Sequence, residues 1–213
     1  MITHEQLSEL LQSRRSVRRF RAEAPSRALI ERIIQSAVTA PSASNKQPWR
    51  FLVVTNRALI DGLAAAVRAA VSRIALAIEP QFEDAFRAYG DYFTRFDEAP
   101  VVIVPLFRAM VTLSHLAGSR LGDDDGRRIA AMERDSGLIG TALALENLLL
   151  AAHASGLAAS AMTGPLVATD DLRTLLGVPP SWQIVAFVPI GYAAEEPAPT
   201  SRKPGTQVTR WLE

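Results

Sequence analysis

"GLIGTALALENLLLAAHASGL", residues 137–157, carries one charged side chain, Glu146, along its whole length. Leu138, Ile139, Ala142, Leu145, Leu149 and Ala152 recur at helical spacing along one side. The other faces are apolar too, and a helix apolar almost all round belongs at the centre of a packed domain. Gly156 stands where such a helix ends in a left-handed residue, so it caps the C-terminus. The sequence on either side supplies strands to pack on it.

Downstream, Leu157–Met162 and Gln183–Ile190 read as buried strands, separated by a small helix over Asp170–Leu176 that Gly177 ends. Upstream, Val101–Leu106 is a continuous apolar run of the kind expected for a strand covered on both faces, with Pro105 placing its end at a sheet edge. Phe51–Thr55 is the first strand, and a helix runs from Arg57 to about Ile78, stopped by Pro80. A further helical piece, Gln81–Phe96, holds the densest group of aromatic residues, six of the fourteen, and Arg108–Arg128 has the weakest pattern. At the start, Thr3 and Gln6 form a capping box for a helix striped by Leu7, Leu10 and Leu11 that stops at 13–16. Leu29, Ile30, Ile33, Ile34, Ala37 and Val38 then repeat at helical spacing until Pro41. There is no internal repeat, and the fold class is α+β, with helices dominating a small sheet.

The 213 residues carry a net charge of +1, which argues against a general nucleic-acid-binding surface. There is no cysteine, so a disulfide scaffold, a thiolate nucleophile, an iron–sulfur cluster and a cysteine zinc site are all excluded. The N-terminus lacks the apolar core of a signal peptide, and no later apolar run reaches the roughly 20 residues of a membrane span. The expected location is cytoplasmic, with no membrane partner. His4, His115 and His153 lack metal-ligand spacing, and Asp123–Asp125 read as solvated carboxylates, so no metal is expected. Signatures of serine hydrolases, P-loop nucleotide hydrolases and Rossmann enzymes are absent.

Three stretches carry candidate chemistry. "SRRSVRRFR", residues 13–21, gathers five arginines around Ser16 at a predicted helix end. Arginine forks and a hydroxyl suit a phosphate, and cations also complement a helix C-terminus. "APSASNKQPWRFLVV", residues 40–54, offers hydroxyls, Asn45 and Gln47 to a heteroaromatic ring edge, or joins a helix to a strand with Pro48 and Trp49 in the core. "SAMTGP", residues 160–165, lets backbone N–H groups face a ligand at Gly164, or makes a turn.

In their order and spacing, these stretches, the long helix and "VPIGY" at 188–192 resemble the flavin-dependent nitroreductase family. The resemblance covers nearly the whole chain. It implies one nitroreductase-like domain over 1–213, a small mixed or antiparallel sheet flanked by helices, and an interlocked homodimer. It further implies an FMN at each of two sites built from both subunits, with a C-terminal arm, 193–213, crossing to the partner. By the same resemblance, Arg14 and Ser16 hold the FMN phosphate with Arg15 beside them, and Arg202 or Lys203 returns to a phosphate from the arm. Arg18 approaches the pyrimidine side of the ring. Pro41, Ser42, Ala43 and Asn45 come from the partner, Gln47 lies near the ring edge, and Thr163 and Gly164 offer N–H groups near flavin N5. Ala43 departs from relatives in which a second serine is common. The implied activity is hydride transfer from NAD(P)H through the flavin to a nitroaromatic, quinone or similar small electron acceptor, with no catalytic side chain. Related activities are substrate dehydrogenation with oxygen as acceptor, and reduction of an enone or a halogenated ring. A non-catalytic flavin-binding dimer shares the same arginines, and residues 57–128 are where the family sets substrate choice.

Overall fold

The structure is a computed structural model that describes residues 1–212. α1 (His4–Ser13) opens on the capping box: the Thr3 side chain accepts from the Gln6 N–H, and the Gln6 amide oxygen accepts from the Thr3 N–H. Ser26 starts α2 (Arg27–Ala37), and Asn56, after β1 (Trp49–Val54), starts α3 (Arg57–Ala75). Each cap accepts from the N–H three residues on, which satisfies a donor the first turn leaves open. The aromatic stretch is less regular than its periodicity predicts. It is a 3-10 turn at Pro80–Phe82, then α4 (Glu83–Gly90), then further 3-10 turns over Asp91–Glu98.

β2 (Val101–Phe107) is buried at every residue. α5 (Leu113–Ala117) and the 32-residue α6 (Asp123–Ala154) follow, so the long helix begins well before its apolar half. The chain continues through β3 (Ala158–Ala159), α7 (Thr169–Leu176), β4 (Gln183–Ile184), β5 (Val188–Gly191) and the short α8 (Gly205–Val208). Gly156 and Gly177 both have positive φ, as expected of helix-ending glycines.

The sheet has the order β1-β2-β5-β3, with β4 also on β2, and every strand pair is antiparallel. Trp49 lies opposite Phe107 and Val54 opposite Val102, so β1 covers six positions of β2. Pro105 therefore sits in the central strand rather than at an edge. Its carbonyl accepts from the Val185 N–H at 2.9 Å, in the gap between β4 and β5 where that side of β2 has no ladder. A missing N–H there removes no sheet bond. The predicted strand over 157–162 shortens to two residues plus an isolated bridge from Met162 to Phe187.

One face of the sheet packs on α3, α7 and the aromatic 3-10 segment, with Phe96, Phe187, Leu63 and Leu172 fully buried. The other packs on α2 and α6 through Ile33, Ile103, Leu148 and Ile190. α6 is long and apolar enough to cross a membrane, with a mean hydropathy of 1.4 over its best window. Here it is a core helix on one side only. Ala144, Leu145, Leu148 and Ala152 are buried, whereas Ile139 and Leu143 are 60% and 44% exposed. Uniform apolarity hid which face turns inward, so Ile139 and Ala142 were assigned to the wrong side.

α6 approaches two loops closely, one of them closely enough to require glycine. A Cβ at Gly137 would lie 2.1 Å from the Arg108 carbonyl oxygen, and one at Gly140 would lie 3.2–3.3 Å from Pro48 and Ser42. Gly62 on α3, by contrast, has nothing within 4 Å. Gly137→Ala is expected to lower stability by about 1–3 kcal/mol in chemical unfolding. Gly62→Ala is expected to raise it by up to about 1 kcal/mol, since only the helix propensity changes there.

Candidate functional site

Of the five arginines only Arg15 reaches back to cap α1, its guanidinium donating to the Gln12 carbonyl; the helix itself ends at Ser13 with no basic residue in its last turn. All five lie beyond it on an extended segment that adds itself to the edge of the sheet. Ser16 bridges Ala159 in parallel, the Arg21 N–H donates to the Tyr192 carbonyl at 2.9 Å, and Phe20 bridges Ala193. The backbone N–H of Arg18 donates to the Glu195 carboxylate at 3.0 Å. Val17 is buried while Ser16 is exposed, the alternation of an extended chain. Arg14, Ser16 and Arg18 stand two residues apart along this segment, spread over about 13 Å.

Two cavities border this segment. One of about 410 Å³ is lined by Arg14, Arg15, Val17, His153, Ala159 and Glu195. The Arg14 guanidinium is 4.0 Å from Glu146, and His153 Nε2 is 2.8 Å from the Ser13 hydroxyl. Burial, and then Arg14 and Arg15, hold the His153 pKa below the ordinary histidine value. The second cavity, about 360 Å³, is lined by Arg18, Tyr89, Tyr92, Met162, Thr163 and Gly164. Gly164 is small because Phe93 lies on it: an added Cβ would come within 2.2 Å of the ring. Just upstream, the Ser160 hydroxyl is fully buried with no hydrogen-bond partner. A buried orphan of this kind marks a place where a partner is missing.

The loop at 41–47 lines neither cavity. Its ends are core: Trp49 packs with Ala40 and Ala144, and Pro48 rests on Gly140. Its tip is exposed and strained. Ser44, Asn45 and Gln47 have φ of 50°, 51° and 49°, a left-handed conformation that costs a non-glycine residue roughly 1–2 kcal/mol. The Ser42 hydroxyl holds the turn by accepting from the Gln47 N–H at 2.9 Å. Pro41 and Ala43 complete the loop without a side-chain bond of their own. Arg202 and Lys203 lie on the exposed tail, where Arg202 bonds only to Thr200 and Ser201 among the described residues. The structure thus places Arg14 and Arg15 on one cavity and Arg18, Thr163 and Gly164 on the other, with Ser16 on the segment between them lining neither, and leaves 41–47 and 202–203 apart.

Tyr89, Tyr92 and Glu133 escaped the sequence reading. The aromatic cluster was visible, but nothing in its spacing says which rings face a cavity. Glu133 sits in the charged half of α6, where a carboxylate draws no attention. It is 3% exposed and accepts from the Thr112 N–H at 2.7 Å, the Ser114 N–H at 3.1 Å and the Ser114 hydroxyl. The Ser114 hydroxyl first, opposed by burial and helped by the N–H groups of Thr112, Ser114 and Leu113, brings its pKa down to about 2. No cluster of metal-ligating side chains occurs among the described residues.

The family model described as "Nitroreductase family" matches residues 11–192, from the arginine segment through the last strand. The chain belongs to that family. The nitroreductase fold is also seen in a solved BluB-like flavoprotein from Clostridium difficile 630, with a TM-score of 0.85 over 97% of this chain and 99% of that one at 20% identity. An iodotyrosine deiodinase bound to FMN and 3-iodo-L-tyrosine aligns with a TM-score of 0.73 over 97% and 99% of the two chains at 21% identity. In sequence, an NADH dehydrogenase of Thermus thermophilus is 31% identical over 204 residues, covering 93% of this chain and 92% of its own. Members of the nitroreductase family thus bear names with different reactions, and the fold alone does not separate them.

Because the Glu133 pKa is lowered on folding, its contribution to stability is present above the unfolded value of 4.5 and is lost as pH falls toward about 2. Unfolding free energy measured against pH is expected to drop across that window in the native chain. In Glu133→Gln, which has no carboxyl to protonate, that part of the drop is expected to vanish.

Proposed function

We propose that this nitroreductase-family chain is an FMN-dependent oxidoreductase that works as a homodimer. One observation carries the reading: Arg14, Ser16 and Arg18 stand two residues apart on an extended segment bordered by two cavities, a cationic edge long enough for a ligand with a phosphate at one end and a ring at the other. The residues present fit FMN, since the edge offers phosphate donors and the adjoining stretch holds an unpaired buried hydroxyl at Ser160. Bound FMN would accept hydride from NAD(P)H and pass it to an electron-poor acceptor such as a nitroaromatic or quinone.

The protein's part is position and charge. Arg14 and Ser16 hold the phosphate, with Arg15 beside them. Arg18 lies at the pyrimidine side, where a cation stabilises negative charge on the reduced ring. Thr163 and Gly164 present backbone N–H groups to the ring. The partner subunit supplies the loop of Pro41, Ser42, Ala43, Asn45 and Gln47, and the single domain's arm, 193–213, crosses over to bring Arg202 or Lys203 to a phosphate. Exposed apolar surface supports this dimer: Ile139 and Leu143 on α6, and Trp211 and Leu212 at 83% exposure each on the tail. A second reading, reduction of a halogenated phenol, is favoured by Tyr89 and Tyr92 beside Arg18 in one cavity.

The visible spectrum of the purified protein, before and after anaerobic NADH or NADPH, tests the proposal. Flavin absorbance that bleaches is expected; a protein that takes up no FMN would sink it, and flavin that stays oxidised would leave a non-catalytic flavin-binding dimer. Steady-state turnover with nitroaromatics, quinones and iodophenols then separates the two acceptor classes. Arg18→Ala is expected to weaken FMN retention and lower the flavin midpoint potential, and an unchanged potential would remove Arg18 from the pyrimidine side.

A further inference from the structure

Glu133 is the one charged side chain buried among the described residues, and the proposed chemistry does not use it. A carboxylate that served only to cap the five-residue α5 would end its network at Thr112 and Ser114. This network continues. Thr112 Oγ1 accepts from Lys46 Nζ at 2.6 Å and donates to the Met110 carbonyl at 3.3 Å, and the Met110 N–H donates to the Glu133 carbonyl at 2.9 Å. Lys46 stands between Asn45 and Gln47, both left-handed. Further along the same face of α6, Gly137 seats the Arg108 carbonyl, and Gly140 seats Ser42 and Pro48. Residues 133, 137 and 140 therefore form a template on which the segment after β2 and the loop at 41–47 are both set.

We propose that Glu133 is a positioning residue: through Thr112 and Lys46 it holds the loop at 42–47 in its left-handed conformation, preset for the flavin ring of the other subunit. The ligand in this statement rests on the FMN reading; the held conformation does not. A strained exposed loop left to itself relaxes toward ordinary backbone, and a ligand must then restore the order at the expense of affinity. Tying Lys46 to the hydroxyl of Thr112, the residue whose N–H the buried Glu133 carboxylate holds, keeps that order in place before binding.

Four single variants of the full chain and one double test it. Thr112→Val keeps the N–H bond to Glu133 and removes the hydroxyl, and Lys46→Met keeps the stem and removes the ammonium. Glu133→Ala removes the whole network, and Glu133→Gln retains an acceptor for the two N–H groups and a donor for the Ser114 hydroxyl. The readouts are the FMN dissociation constant, the shape of the visible flavin band, and amide hydrogen exchange at 42–47 against 113–117. Thr112→Val and Lys46→Met are each expected to weaken FMN binding roughly three- to tenfold, about the worth of one hydrogen bond. They are expected to speed exchange at 42–47, leave 113–117 protected, and be no worse combined than alone. Glu133→Ala is expected to loosen both segments and Glu133→Gln to restore most of the loss. Unchanged exchange at 42–47 and an unchanged flavin band in both Thr112→Val and Lys46→Met would overturn the proposal, as would fully additive effects. A native chain that binds no FMN would overturn the flavin reading instead, and exchange at 42–47 would still decide whether Glu133 holds the loop.

Discussion

The close approach of α6, on its buried side, to neighbouring backbone is the constraint on which the rest of the structure depends. With the Arg108 carbonyl 2.1 Å from where a Cβ on Gly137 would stand, helix and loop meet at a distance no other residue allows. That contact sets where the chain leaves β2. It also leaves space for the 41–47 loop to come down on Gly140, one turn along, and for Trp49 to enter the core and start β1 in register with β2. The same helix face thus orders two segments that have no contact in sequence. The opposite face of α6 stays apolar and open, so one helix is at once the support of the site and a surface that wants cover.

Charge follows the same division. The net charge of +1 hides a strong local imbalance, because five arginines fall within nine residues while many of the others pair with a carboxylate on their own helix. Those surface pairs contribute little to stability and mainly keep charges solvated and matched. Around the segment at 14–21, Glu146 lies near Arg14, the Glu195 carboxylate accepts from the Arg18 N–H and Glu196 lines the cavity of Arg14 and Arg15, fewer carboxylates than arginines, which leaves the segment cationic. Placing that excess on an extended strand rather than a helix end separates its members by regular steps. A helix end would have offered one anion site, whereas the strand offers a row.

What was legible in the sequence was what local chemistry decides. The Thr3–Gln6 box, the glycines at 156 and 177 and the unbroken apolar run of β2 each carry their own signal, and each stands as expected. Failures came where tertiary context overrides the local rule. Pro105 is tolerated in a central strand only because β4 and β5 part beside it, and Ile139 faces outward on a helix whose every face is apolar. The left-handed Ser44, Asn45 and Gln47 follow from contacts with Ser42 and α6, and no propensity announces them. Glu133 was hidden for the same reason, since its importance comes from what covers it. Of the candidate site, Arg18 lines one cavity with Thr163 and Gly164 while Arg14 and Arg15 line another, and the tyrosines beside Arg18 became visible only in three dimensions.

The separation of the 41–47 loop from those cavities bears on how many chains the proposed chemistry needs. Within one chain the strained loop is fixed to α6 beside β1 and lines neither cavity along the arginine segment. Its strain makes sense only if something binds at its tip, because a mere connector between α2 and β1 would relax into right-handed turns at lower cost. The tail presents the same difficulty, with Trp211 and Leu212 left in water. A second copy, as proposed above, would resolve both at once: it would cover the open face of α6 and the tail, and would bring a loop to each arginine edge. On that arrangement a lone chain would possess every residue of the site and still lack a complete one.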